Sequence, residues 1–119
     1  LTYGNTTHLS LEAAKKLQDE GVSIELIDLR SLVPLDEETI IESVKKTNKV
    51  LVVHEDKIHG GFGGELSAII TEKAFEYLDA PVKRVGSTFT PFGFNRILEK
   101  AILPNAERIY NAAKELIEY

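Results

Sequence analysis

The sequence has no cysteine, no methionine and no tryptophan, and it carries no excess of basic residues. Without cysteine there is neither a disulfide framework nor thiolate chemistry, which fits a reducing compartment. Fourteen Lys and Arg stand against nineteen Asp and Glu, for a formal charge of -5. The basic residues are scattered among acids and form no stripe for a nucleic-acid backbone. No apolar stretch approaches the ~20 residues that cross a bilayer, and no signal peptide opens the chain. Neither nucleic acid nor membrane is therefore expected as a partner. The absence of methionine predicts a chain that is processed, trimmed or cut from a longer one. Leu1-Thr2-Tyr3-Gly4 reads like the last residues of a strand whose beginning lies outside this sequence.

What is present is ordinary for a folded domain. The 119 residues are 43% hydrophobic and 28% charged, enough for one domain with its own core. Leu9, Ala13 and Leu17, with Ala14 alongside, recur at helical spacing until Gly21, and Asn5, Thr6 or Thr7 could cap that helix. Val22 to Ile27 reads as a strand. Asp36 is a good N-cap, Glu37 and Glu38 suit the positive end of the helix dipole, and Leu35 with Ile40 has staple spacing. The helix so opened buries Ile40, Ile41 and Val44 and ends near Asn48. Lys49 to His54 is a near-continuous apolar run, as in a strand covered on both faces.

A third helix stripe runs through Leu66, Ile69, Ile70, Ala74, Tyr77 and Leu78. Val82 to Val85 is a short strand, and a short helix is expected near Ile97 to Ile102. Asn105 caps a last helix whose stripe is Ile109, Ala112, Ala113, Leu116 and Ile117. Alternating strands and helices of this length predict right-handed crossovers and a three-layer α/β/α sandwich with a mostly parallel sheet. Residues 1–119 form one domain.

The densest chemistry lies in "VLVVHEDKIHGGFGGEL", Val50 to Leu66. A strand, a glycine-rich loop and a helix start together offer backbone N–H groups to an anion. The spacing fails both phosphate templates: the third glycine of the dinucleotide fingerprint is missing, and no Gly-Lys-Ser/Thr occurs. Glu65 at the helix start would repel a phosphate. The alternative is that the glycines let the loop and helix end approach another backbone closely. His54, Glu55, Asp56 and His59 could form a metal or acid–base cluster, but adjacent strand residues point to opposite faces and no second cluster completes a shell. His54 either lines a crevice at the carboxyl edge of the sheet, where α/β proteins place ligands, or is a hydrogen-bonded structural histidine. A phospho-accepting receiver domain is excluded, because Leu1 to Asn5 offers no acid pair.

The order and spacing of "IDLRSLVPLDEETI", "VVHED" followed by "GGFGGEL", "DAPVKRV", "TPF" and "LPNAERI" resemble the C-terminal domain of transketolase-like enzymes. More narrowly they resemble the beta subunit of the thiamine-diphosphate-dependent decarboxylating component of 2-oxo acid dehydrogenases, of the pyruvate, branched-chain 2-oxoisovalerate and acetoin types. The stretch "FGFNRIL" departs from the proline-rich version more common there. The resemblance implies a mixed sheet whose first, antiparallel edge strand precedes Leu1. It also implies that thiamine diphosphate and Mg²⁺ bind outside this segment, between an alpha subunit and the other half of the beta subunit, where the family's catalytic histidine lies. No catalytic, cofactor-binding or metal residue is therefore expected here.

The implied partners are an alpha subunit, a second beta subunit and the subunit-binding domain of a lipoyl acyltransferase. The interface or crevice candidates are His54, Glu55, Gly60, Gly61, Phe62, Gly63, Gly64, Glu65, Ser87 and Tyr119. Tyr119 matches a terminal aromatic whose carboxylate pairs with a basic residue of the acyltransferase core. Ser87 stands where some relatives that dock this way carry Asp. The implied location is the cytoplasm of a prokaryote or the mitochondrial matrix of a eukaryote. Two further readings stay open: the C-terminal half of a split transketolase or deoxyxylulose-phosphate synthase, and a stand-alone interaction module.

Overall fold

The helical stripes persist in the structure, a computed structural model that describes residues 1–88 and 103–119. Helix α1 (Thr6–Asp19) buries Thr6, Ser10, Ala13 and Leu17, and the chain turns out of it at Gly21 with φ +86°. The expected side-chain cap does not form. Asn5 instead extends its amide toward the Glu55 carboxylate at 3.4 Å, and the Thr6 hydroxyl donates to the Tyr3 carbonyl at 2.8 Å. The contact to Glu55 orients the Asn5 side chain away from the helix end.

Helix α2 (Glu37–Thr47) follows its sequence signals closely. The Asp36 carboxylate accepts from the Thr39 amide at 3.1 Å, and Asn48 ends the helix in the left-handed region at φ 65°. Leu35 and Ile40 pack into one cluster, as staple spacing predicts. Strand β1 (Leu51–Lys57) begins two residues later than the apolar run and continues past it. Helix α3 (Phe62–Ala74) buries Leu66, Ile70 and Ala74. It breaks at a 3₁₀ turn, Phe75–Tyr77, so Tyr77 and Leu78 leave the helix yet stay against the same core. Strand β2 (Lys83–Ser87) lies beside β1 in parallel. Helix α4 (Ala106–Ile117) starts where the Asn105 side chain accepts from the Arg108 amide at 2.9 Å. Of its expected stripe, Ile117 is 38% exposed and the other four are buried. The helix expected near 97–102, "TPF" and "FGFNRIL" lie wholly or mostly outside the described residues.

The strand expected at Val22–Ile27 is paired only at its end. Thr2 donates to the Ile27 carbonyl, and Leu29 donates back to Thr2. On its other side Thr2 is bridged in parallel to Val53. Leu1–Tyr3 thus runs between the 27–29 segment and β1. All these pairings are parallel.

Strand alternation divides the core into two layers. Val50 and Val52 face α2 and α3 in a cluster with Leu29, Ile40, Val44, Leu66, Ile70 and Ala74. Val53 faces the other way, with Val85, Ala13 of α1, and Ile109 and Ala112 of α4. Ile40, Val52, Leu66 and Ile70 have no solvent exposure, and such burial stabilises by about 1.5–3 kcal/mol per side chain. The expected α/β/α sandwich is the architecture found.

Candidate functional site

The parity that sends Val50 and Val52 toward α3 sends His54 there too, directly under the first turn of that helix. The β1–β2 register is regular from Leu51↔Lys83 to Val53↔Val85 and then slips, so that Lys57 pairs with Ser87. Four residues of β1 therefore span two of β2, and the bulge falls on His54-Glu55-Asp56. Bulges bend a strand and re-aim its groups. Here the bend turns the Asp56 carbonyl back onto the His54 ring, 3.0 Å from Nδ1. A carbonyl only accepts, so Nδ1 carries the proton and Nε2 keeps a bare lone pair.

That Nε2 is buried and has no hydrogen-bond partner. The ring has no solvent exposure, and three glycines enclose it. A Cβ added at Gly63 would lie 2.2 Å from Nε2, and one at Gly86 would lie 2.7 Å from Cε1 and 2.8 Å from the Asp56 carbonyl. One added at Gly61 would meet the Lys57 carbonyl at 2.1 Å and His54 Cε1 at 3.1 Å. The Tyr3 ring stacks on the remaining face, 6.0 Å between centroids.

Burial pushes the imidazole below the usual histidine range, and Arg84 adds to the effect while the Asp56 carbonyl and carboxylate oppose it. The positive end of the α3 dipole also disfavours a second proton. His54 is thus neutral, sealed and without room for a ligand between Nε2 and Gly63. Of the two histidine readings, the geometry matches the hydrogen-bonded structural one.

The other expected site residues separate into distinct roles. Gly60 holds φ +81° and has open space around it, so its need is conformational. Gly64 has neither constraint, with only Arg84 Nη1 at 3.5 Å from an added Cβ. The close approach that the glycine loop permits is chiefly onto His54 within this chain. Phe62, at the start of α3, packs against the α2–α3 core. Glu65 is exposed in the first turn of α3, where the dipole favours a carboxylate.

Glu55 is exposed on its side chain, while its carbonyl accepts from the Ser87 hydroxyl. Ser87 has no solvent exposure. Its hydroxyl is spent inside the sheet. Tyr119 is 74% exposed beyond α4. Asp56 approaches His54 through its backbone rather than its carboxylate. No group of three His, Asp or Glu among the described residues could hold a metal.

Sequence reasoning missed two residues of this site. Gly86 lies on a different strand, thirty-two positions from His54, and only the parallel register brings it over the ring. Arg108 reaches from α4 to the Gly86 carbonyl at 3.0 Å and the Leu103 carbonyl at 3.0 Å, tying that helix to the end of β2. The arginine following Asn105 by three positions was readable as a helix residue, not as a strap.

A family profile described as the transketolase C-terminal domain matches residues 1–109. The chain belongs to that family. Among curated relatives it is 40% identical over 119 residues to the pyruvate dehydrogenase E1 component subunit beta of Rickettsia felis, covering 100% of this chain and 36% of that one. It is 40% identical over 120 residues to the 2-oxoisovalerate dehydrogenase subunit beta of Bacillus subtilis, 37% of which it covers. The chain therefore spans little more than a third of the length of these relatives. A solved structure titled "Split gene transketolase, inactive beta4 tetramer" superposes with a TM-score of 0.82 and 30% identity, covering 98% of this chain and 37% of that chain. The fold class and family read from the sequence both hold.

Proposed function

We propose that this domain is the non-catalytic C-terminal part of a beta subunit in a thiamine-diphosphate-dependent 2-oxo acid dehydrogenase. In this reading it supports subunit assembly and helps to dock the lipoyl acyltransferase core. The parent enzyme decarboxylates a 2-oxo acid and passes the acyl group to lipoyl. The observation that carries the reading is the sealed His54 cradle. The stretch densest in catalytic residue types is filled by its own imidazole, within a chain 40% identical to dehydrogenase beta subunits.

The residues described here do not fit thiamine diphosphate. The glycine loop that would cradle a diphosphate is packed against a histidine, Glu65 opens the following helix, and no acid cluster among the described residues awaits Mg²⁺. We place the cofactor outside this segment, against the alpha subunit and the rest of the beta subunit. Exposed Tyr119 is available for docking as Ser87 is not. The split-transketolase reading draws on the structural likeness to a beta tetramer, but identity is lower there, 30% against 40%.

A chimera tests the proposal. This chain replaces the matching segment of the Bacillus subtilis pyruvate dehydrogenase subunit beta, to which it is 40% identical over 119 residues. The chimera is expected to co-purify with the alpha subunit and to decarboxylate pyruvate. The isolated chain is expected to give no calorimetric signal with thiamine diphosphate and Mg²⁺. Micromolar binding by the isolated chain, or a stable chimera that fails to assemble, would contradict the proposal.

A further inference from the structure

The cage around His54 has walls that are fixed and one that is not. Tyr3 belongs to a segment bonded on both sides, and the Gly86 carbonyl is held from α4 by Arg108. Gly61 and Gly63 belong to residues 58–65, the glycine loop and the first turn of α3. That stretch meets the sheet at Ile58, whose amide donates to the Ser87 carbonyl and whose carbonyl accepts from Arg84 Nη1, both at 2.9 Å. It turns at Gly60, exposed at φ +81°. Beyond it, Leu66, Ile70 and Ala74 anchor α3 in the core. Lifting residues 58–65 therefore costs the Ile58 hydrogen bonds and the packing of Phe62, far less than opening either core layer.

The ring is aimed at the removable wall. Nδ1 is committed to the Asp56 carbonyl, so a second proton has only Nε2 to go to. Nε2 faces Gly63, where an added Cβ would lie 2.2 Å away, and it has no hydrogen-bond partner. A proton there needs an acceptor, but the first turn of a helix presents amide donors and a positive dipole end. A buried charged donor without a partner is among the costliest groups in a fold. Water is the acceptor at hand, and it reaches Nε2 only if residues 58–65 move.

The charges around the ring do not remove that conflict. On β1 the Asp56 carboxylate favours the proton, but its Oδ1 accepts from the Lys57 amide at 2.8 Å, and Glu55 is exposed beside Asn5. On β2 Arg84 disfavours it. Tyr3 is a neutral phenol kept above its usual range by burial and by Asp56. Arg108 of α4 brings a second guanidinium to the Gly86 carbonyl, while Glu65 and His59 stand exposed on the removable stretch. Burial is the largest influence, and it acts against the charged ring.

We infer that residues 58–65 form an acid-released latch over His54. A proton at Nε2 lifts the glycine loop and the first turn of α3 off the sheet, while both core layers stay folded. The imidazolium then lies in water, so the open form binds the proton that the closed form excludes. Opening becomes easier by up to about tenfold for each pH unit below about 6.5, the ordinary histidine value, and His54 leaves it unchanged above that. This inference does not depend on the proposed function.

Amide exchange of the whole chain at pH 7 and pH 5, corrected for intrinsic rates, reads the opening. Protection at Ile58 and Gly64 is expected to fall at least about fivefold on acidification. At pH 5 it should lie at least about tenfold below protection at Val44 of α2, so that the latch opens without the core. His54→Asn should abolish the fall. The double variant His8→Asn/His59→Asn leaves His54 as the only histidine. It should keep the fall, and it decides the matter if His54→Asn does not fold. Equal protection at Ile58, Gly64 and Val44 at pH 5 would overturn the inference, since only the whole fold would then open. So would unchanged protection at Ile58 and Gly64 between the two pH values, a fall that survives His54→Asn, or one that vanishes with the other two histidines.

Discussion

The two ends of the parallel sheet differ in how they are filled. At the carboxyl end, where α/β proteins usually bind ligands, the His54 ring, three glycines and Tyr3 leave no space. At the amino end, usually the structural end of such sheets, apolar walls enclose a cleft of about 220 Å³. The contrast teaches that residue types with catalytic potential do not make a site when their own packing consumes the space.

The largest expected effect lies at the filled end. Gly63→Ala places a methyl 2.2 Å from a fully buried ring atom, so urea unfolding should show a loss of about 3 kcal/mol or more. His54→Ala should lose about 2–3 kcal/mol on its own. Combined, the two should lose at least about 1 kcal/mol less than their sum, because the methyl then occupies the space of the ring. Additive losses would mean that the glycine serves something other than the histidine.

A pH series sharpens the same point. Folding depresses the His54 pKa, so between its folded value and the unfolded value of about 6.5 the unfolded chain binds more protons. The contribution is complete above pH ~6.5 and is lost as pH falls below it, at no more than about 1.4 kcal/mol per pH unit. In His54→Asn that component should disappear from the stability profile.

The amino end should tolerate added volume. Ala14→Leu enlarges a side chain that lines the cleft, and should keep stability within about 1 kcal/mol of the parent. The smallest change is expected at Gly64, which lies inside α3 with only van der Waals contact for an added methyl. Gly64→Ala should stabilise by about 0.5–1 kcal/mol through helix propensity. A loss there would show that all four loop glycines are held by one constraint, and the division between Gly63 and Gly64 would fail.

Much of this architecture was legible from local signals. Asp36 and Asn105 cap helices because their carboxylate and amide oxygens are at the right spacing from a free amide, and nothing else competes for them. Asn5 carries the same chemistry but is drawn away by Glu55, a contact fifty residues distant that no local pattern reveals. The 22–27 segment has strand-forming residues, yet a strand is a pairing, and among the described residues its pairing is with Thr2 at its end.

Glycine clustering pointed correctly to close approach, but not to what approaches. The partner is set by the parity of β1, by the bulge after Val53 and by Gly86 on β2. The direction of Ser87 was hidden for a related reason. Its inward direction follows from sheet register, which a resemblance at a single position does not reveal.

The most direct test of the central claim, that the His54 cluster packs rather than reacts, is the turnover of the chimeric decarboxylating enzyme carrying His54→Asn, measured per assembled enzyme. Asn preserves a donor toward the Asp56 carbonyl and removes the imidazole. Turnover within about twofold of the parent is the predicted result. A hundredfold or greater loss with assembly and melting temperature intact would contradict the account and return His54 to the chemistry.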